Sequence, residues 1–276
     1  MNWSTRQEAM LEAMGLRLWQ RPVEVIVEAP TPLVPAKVSP PPPMRTPLAA
    51  PTAAPTAAPT SAPVAERPVV LRPSQPPSAV SSLVSSLDWT GLREAVADCQ
   101  ACKLCEGRTQ TVFGVGHERA HWMVVGEAPG EQEDLQGEPF VGAAGRLLDS
   151  MLRAIALSRG EAAPERSVYI ANTLKCRPPR NRNPEPEELS RCEPFLLRQI
   201  ELVQPRIILA MGRFAVQSLL RSSEPIGRLR GRVHQYHGVP LIVTYHPAYL
   251  LRNLADKARA WEDLCLALDT VQSAAP

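Results

Sequence analysis

Four cysteines, at Cys99-x2-Cys102, Cys176 and Cys192, are the residues of this chain best suited to hold a metal. Thiolates are soft ligands, and four of them suit either Zn²⁺ or an iron–sulfur cluster. Spacing alone leaves both open. Seventy-three residues separate Cys102 from Cys176 and fifteen separate Cys176 from Cys192, whereas structural zinc sites more often use two close pairs. Cys102-x2-Cys105 is a second valid pair, and Cys265 falls on the apolar face of a helical stretch. A second set of residues lies in four short segments: Gly126-Glu-Ala-Pro-Gly-Glu-Gln-Glu-Asp134, Pro139-Phe-Val-Gly142, Asn172, and His246-Pro-Ala-Tyr-Leu-Leu251. Small residues in the first let a backbone approach a ligand closely. Phe140 offers a flat apolar face. Asn172 carries both a donor and an acceptor, and His246 can donate a hydrogen bond to developing negative charge.

Something must bring these segments together, and strands alternating with helices would do it. His121–Gly126, Val168–Ala171, Arg206–Met211 and Leu241–Tyr245 read as short apolar strands. Ala143–Leu157, Pro186–Val203, Arg213–Leu220 and Asp256–Thr270 have helical apolar spacing, and Glu187 and Glu188 suit a helix N-terminus. Leu87–Cys105 reads as a helix running into the first cysteine pair. This alternation predicts an α/β fold, a three-layer αβα arrangement around a central, mostly parallel four-stranded sheet. In such sheets the ligand crevice lies beyond the carboxyl ends of the strands. The residues there are Glu127–Gly130, Asn172, Gly212 and His246, so the polar and glycine-bearing loops converge on one rim.

Composition divides the chain in three. Thirty prolines, most of them before residue 80, mark residues 29–79 as a Pro/Ala-rich segment with an Ala-Pro-Thr repeat, expected to be a disordered linker. Residues 80–276 supply the folded domain. Residues 1–28 hold a short amphipathic helix over 5–19, with Met10, Leu11, Met14, Leu18 and Trp19 on one side, a shape suited to docking on a partner. No apolar stretch is long enough to span a bilayer and residues 1–20 lack a signal-peptide layout, so a soluble, cytoplasmic protein is expected; nucleoid association and a monomeric state are expected as well. In that compartment cysteines serve metals or packing rather than disulfides. The net charge of +2 says little, but Arg177, Arg180 and Arg182 form one basic cluster and Arg228, Arg230 and Arg232 another. Local basic stripes of this kind bind phosphate backbones.

From about Cys99 to Leu268 the chain resembles the family 4 uracil-DNA glycosylases. The resemblance rests on Cys99-Gln-Ala-Cys102, Glu106-Gly-Arg-Thr109, the Gly126–Asp134 and Pro139–Gly142 segments, Asn172, Lys175-Cys-Arg-Pro-Pro179, Cys192 and His246-Pro-Ala-Tyr-Leu-Leu-Arg-Asn253. It implies a [4Fe–4S] cluster on Cys99, Cys102, Cys176 and Cys192, because the family's first two ligands precede the Glu-Gly-Arg-Thr segment at the spacing of Cys99 and Cys102, not Cys105. It further implies excision of uracil flipped out of DNA, leaving an abasic site. Phe140 would stack on the base, Asn172 would read its amide edge, Gly130 would help to bind it and His246 would stabilise the departing anion. The Glu127–Gly130 loop would hold the attacking water. Ala128 stands where the best-known branch of the superfamily has an aspartate, so there the backbone would act, with Glu127 as the nearest carboxylate. Tyr249 and Leu250 would form an apolar wedge in the minor groove, and Arg252 would join the arginine clusters in gripping phosphates.

Three other readings compete. A catalytically weak or silent relative would serve as a DNA or replisome adaptor. Residues 5–22 resemble the N-terminal peptide by which the psi subunit of bacterial DNA polymerase III docks on its clamp loader, so a clamp-loader contact is expected there. The branch that becomes trapped covalently on uracil-DNA uses a histidine in an extra basic loop, and residues 173–191 hold no histidine. A nucleotide-binding Rossmann domain would show Gly-x-Gly-x-x-Gly, which Gly126-Glu-Ala-Pro-Gly130 is not.

Overall fold

A computed structural model describes residues 83–160 and 162–273. The helix read over 5–19, the clamp-loader peptide and the linker over 29–79 lie outside the described residues.

The elements follow in the order α1 (Trp89–Ala97), α2 (Leu104–Gly107), β1 (Val115–Gly116), β2 (Trp122–Gly126), α3 (Glu131–Gln136), α4 (Ala143–Ala154), β3 (Val168–Asn172), α5 (Pro186–Val203), β4 (Ile207–Met211), α6 (Arg213–Leu220), α7 (Ile226–Leu229), β5 (Val233–Tyr236), β6 (Val239–Thr244), α8 (Pro247–Leu250) and α9 (Asp256–Ser273). The four apolar strands expected from the sequence are the parallel centre of the sheet, in the order β3-β2-β4-β6. The sheet is wider than expected. β1 adds to one edge through β3 and β5 to the other through β6, both antiparallel, making six strands.

Alternate residues of each central strand serve opposite layers, as the period of two requires. Trp122, Val124, Ile170, Leu209 and Ile242 pack with Leu148 and Met151 of α4 and Trp261 and Leu264 of α9. Met123, Val125, Ala171, Ile208 and Val243 pack with Leu196 and Ile200 of α5 and Val216 of α6. Burying strands on both faces is what makes them continuous apolar runs.

The helix expected over 87–105 is instead two. Asp88 caps α1 by accepting from the Gly91 amide, α1 stops at Ala97, and Cys99 to Lys103 turn before α2. The break lies within the Cys-x2-Cys segment, which turns the two thiols inward rather than around a helix. Among the described residues no helix is long and apolar enough to cross a membrane.

Candidate active site and cysteine centre

β2 runs between β3 and β4, and the chain passes from β3 back across β2 to reach β4. The crevice at that crossing point is the expected ligand site of such a sheet. A cavity of about 940 Å³ opens there, lined by Glu127, Ala128, Pro129, Gly130, Phe140, Asn172, Gly212, Tyr245, His246, Tyr249 and Arg252, among others. Every residue expected at the rim therefore meets in one place.

Asn172 ends β3 and is 2% exposed, yet its side-chain Oδ1 has no hydrogen-bond partner. A buried acceptor left unpaired costs about 1–3 kcal/mol, so it calls for a ligand donor. Beside it lies Phe140, 5% exposed and held at φ +57. Side chains other than glycine rarely take this left-handed backbone, and the strain is of order 1–3 kcal/mol. The two side chains meet over Gly126, where a Cβ would lie 2.4 Å from Asn172 Oδ1 and 2.7 Å from Phe140 Cζ. The absence of a side chain at 126 is what leaves room for Asn172 and Phe140 to meet there.

The Phe140 ring stacks on His246, with centroids 5.3 Å apart and planes 26° from parallel. His246 caps α8: its Nδ1 accepts from the Ala248 amide at 3.1 Å. That bond assigns the proton of the neutral ring to Nε2. Burial lowers the imidazole to about 4, with Glu133 raising it and Arg252 lowering it. His246 is thus a neutral donor at pH 7.

Three acids of the first loop, Glu127, Glu133 and Asp134, hold backbone. Glu127 Oε1 accepts from the Phe214 amide at 3.0 Å, at the start of α6, and lies so close to Gly212 that a Cβ there would meet it at 2.5 Å. Burial raises its carboxyl above the ordinary value, against the lowering pull of backbone bonds from Phe214 and Arg213. Glu133 accepts from the amides of Gly130, Val141 and Gly142, tying the first loop to the Phe140 loop. Asp134 accepts from Thr109. Gly130, expected to help bind the base, has its amide engaged by Glu133 at 3.0 Å.

The outer residues divide. Arg252 is exposed at the cavity mouth and Arg180 is exposed at φ +55. Arg177 sits 3.6 Å from Glu131 and Arg182 pairs with Glu185 and Glu188, lowering the Glu188 carboxyl and fastening the start of α5. Arg230 departs from expectation. Its guanidinium is turned inward, 3.0 Å from the fully buried Asp263 and 2.9 Å from Glu262, so it braces α9 rather than facing a ligand. Arg228 and Arg232 on either side remain exposed. Leu250 also departs. It is 0% exposed in the core, and the apolar side chains left outside are Leu251 at 42% and Leu254 at 57%. One turn of α8 faces Leu250 inward, which a run of apolar letters does not reveal. Tyr249 stacks on Tyr245 and donates to Asp256 at 2.7 Å.

Cys99, Cys102, Cys176 and Cys192 line a second cavity, which Cys105 also borders. The remaining lining is apolar or basic, with Arg108, Lys175 and Arg191 and no carboxylate. Arg108 donates to Cys176 Sγ at 3.3 Å and to the Cys99 carbonyl, and the Lys175 amide donates to Cys192 Sγ at 3.3 Å. Burial pushes the Cys192 thiol up to about 12 and raises Cys176 and Cys102. Among the described residues no three His, Cys, Asp or Glu side chains converge on a single metal ion. A lone ion bonded at about 2.3 Å to each sulfur needs them closer together than a cubane does. Cys265 lies elsewhere, against the core of the α4–α9 layer.

Sequence reading missed the residues that join these centres. Lys175 is fully buried, its Nζ donating to the Asn172 carbonyl at 2.8 Å and to Gln199 Oε1 at 2.6 Å, and burial lowers it to about 8. It links the cysteine cavity to the unpaired Asn172. Its place next to Cys176 was the available signal, but nothing in the letters gives its partners. Arg159 was missed too, having no motif.

The profile of the Uracil DNA glycosylase superfamily matches residues 113–265, more than half of the chain. The Type-4 uracil-DNA glycosylase of Archaeoglobus fulgidus is 45% identical over 164 residues, 56% of this chain and 79% of that protein. That of Thermotoga maritima is 43% identical over 168 residues, 60% and 84%. That of Pyrobaculum aerophilum is 39% identical over 188 residues, 65% and 93%. The matched span carries both the strand-end crevice and the residues that build it, and the chain belongs to the uracil-DNA glycosylase superfamily, within its type-4 branch.

Proposed function

We propose that the chain excises uracil from DNA by hydrolysing its N-glycosidic bond, leaving an abasic site in base-excision repair. The observation that carries the reading is the buried, unpaired Asn172 Oδ1 beside the stacked Phe140 and His246 rings. Uracil N3–H is a donor and cytosine N3 is an acceptor, so an unpaired acceptor favours uracil. The flipped base packs against Phe140. As the glycosidic bond breaks, its electrons pass to the uracil ring, and His246 Nε2–H donates to the O2 on which the charge gathers. Glu127 keeps α6 and the first loop in register, and the water is positioned by the backbone about Ala128 and Pro129. Arg177, Arg180, Arg182 and Arg252 contact phosphates, and Tyr249 lies at the mouth beside Leu251, which replaces Leu250 as the exposed apolar tip.

The four thiols, their N–H donors and the basic, carboxylate-free wall fit a [4Fe–4S] cluster on Cys99, Cys102, Cys176 and Cys192. When bound it supplies a cross-link between the turn after α1, the loop after β3 and α5. Uracil chemistry proceeds without an electron from it.

Incubation with uracil-containing single- and double-stranded oligonucleotides, then alkaline cleavage, tests the activity. Breaks at uracil and none at cytosine or thymine are expected; intact strands with cluster-replete protein would overturn the reading. Gly126→Ala is expected to lower kcat/KM about a hundredfold, because its methyl group takes the space between Asn172 and Phe140. A rate within threefold of the parent would show that the base sits elsewhere.

A further inference from the structure

Phe140 can serve as the base platform only if something holds its backbone. Its φ of +57 is disfavoured for a phenylalanine, and such conformations persist where the surroundings over-determine them. Three contacts do so. Gly145 of α4 lies directly under the Phe140 carbonyl, where a Cβ would fall 1.7 Å from the oxygen. Glu133 takes the amides of Val141 and Gly142 on the far side. Arg159 takes the carbonyls. Its Nη1 donates to the Pro139 oxygen at 3.0 Å and to the Phe140 oxygen at 3.1 Å. Its Nε donates to Asp149 of α4 at 2.7 Å, and the side chain is 19% exposed. A planar guanidinium fixed at one edge by a carboxylate presents its other donors in a set direction. The clamp thus runs from α4 through Asp149 and Arg159 to the two peptide units that set the Phe140 ring, and through its stack to His246.

We infer that Arg159 is a positioning residue for uracil excision, holding the Pro139 and Phe140 carbonyls so that the Phe140 ring stays against both the flipped base and His246. The inference rests on the excision reading above. It makes the left-handed turn part of the site rather than an accident of packing. Arg159 touches neither base nor DNA in this scheme, so it acts on the rate and on recognition of the base, and not on affinity for a strand that lacks one.

The test compares the full chain with Arg159→Met, Arg159→Lys and Asp149→Asn, each also in a Phe140→Ala background. Three quantities are read: the single-turnover rate on a uracil oligonucleotide, inhibition by free uracil, and affinity for an abasic oligonucleotide. Arg159→Met is expected to slow the rate about ten- to a hundredfold and to weaken inhibition by uracil in parallel, with abasic affinity unchanged within about twofold. Arg159→Lys, keeping the charge but not the fork, should recover part of the rate. In the Phe140→Ala background, Arg159→Met should cost less than about threefold more, because residues acting through one another are not additive. An equal loss in both backgrounds, or a matching loss of abasic affinity, would overturn the inference. So would a rate within threefold of the parent. If Arg159→Met does not fold, Arg159→Lys and Asp149→Asn carry the same comparison. A parent protein that releases no uracil would fail the excision reading itself; an active parent with additive losses fails the clamp alone.

Discussion

Replacing His246 by leucine is expected to lower kcat for uracil release about a hundred- to a thousandfold, the size of effect seen when one donor to a developing anion is removed. Affinity for abasic-site DNA should change little. The size follows from preorganisation. The Ala248 amide already occupies Nδ1, so Nε2–H is the donor before substrate arrives and no tautomer shift is needed. With the ring lowered to about 4 by burial, activity should show no inflection near pH 6.5 from this group, and an inflection there that vanishes in the variant would refute the neutral-donor role. Stability carries the same signature. In the unfolded chain the ring takes a proton near its ordinary value of 6.5, and in the folded protein only near 4. Between those values the unfolded state binds more protons, so stability is fully present above pH 6.5 and is lost as pH falls toward 4. The loss is at most about 3 kcal/mol, and His246→Leu should remove it from a pH series of denaturant midpoints.

The residues that do chemistry were more legible than the residues that aim them. Short continuous apolar runs gave the four central strands, and α5 and α6 have the limits that their apolar spacing and capping residues predict, Pro186–Val203 and Arg213–Leu220. Placing those strands in parallel was enough to bring Glu127, Asn172 and His246 to one rim. The two edge strands were not legible. β1 has two residues, and β5 reads Val-His-Gln-Tyr with a single buried position, so neither carries a core pattern. α3, Glu-Gln-Glu-Asp-Leu-Gln, has no apolar face and is fixed instead by Glu133 and Asp134 bonding to other loops. Charges were the least legible of all. Arg177, Arg182 and Arg230 look alike as letters, yet the first two pair near the cavity and Arg230 closes on Asp263. A partner 33 residues away leaves no local trace. Arg159 is the extreme case, since its acceptors are main-chain carbonyls that any residue would supply.

Cys192→Ser is expected to remove iron and unfold the domain more readily, while Cys105→Ser keeps both iron content and melting temperature. Cys99 and Cys102 lie in the turn between α1 and α2, Cys176 follows β3, and Cys192 is on α5. A shared cluster therefore closes the 73-residue segment between Cys102 and Cys176. Cross-linking a loop of that size removes roughly 4 kcal/mol of chain entropy from the unfolded state. For a domain of this size that corresponds to a fall of about 8–16 °C in Tm. Apolar packing alone is a poor substitute there, because α1 meets α5 through a small group of side chains, Leu92, Val96, Phe113 and Phe195. Two outcomes separate a brace from a participant in the reaction. If the cluster is a brace, the excision rate per mole of folded, iron-containing protein is unchanged by partial loss of iron or by its oxidation state. If that rate follows the oxidation state, Lys175 is the residue to examine next, since it bonds both to Cys192 Sγ and to the Asn172 carbonyl. Full iron content in Cys192→Ser, or iron lost in Cys105→Ser, would instead move the ligand set from Cys192 to Cys105.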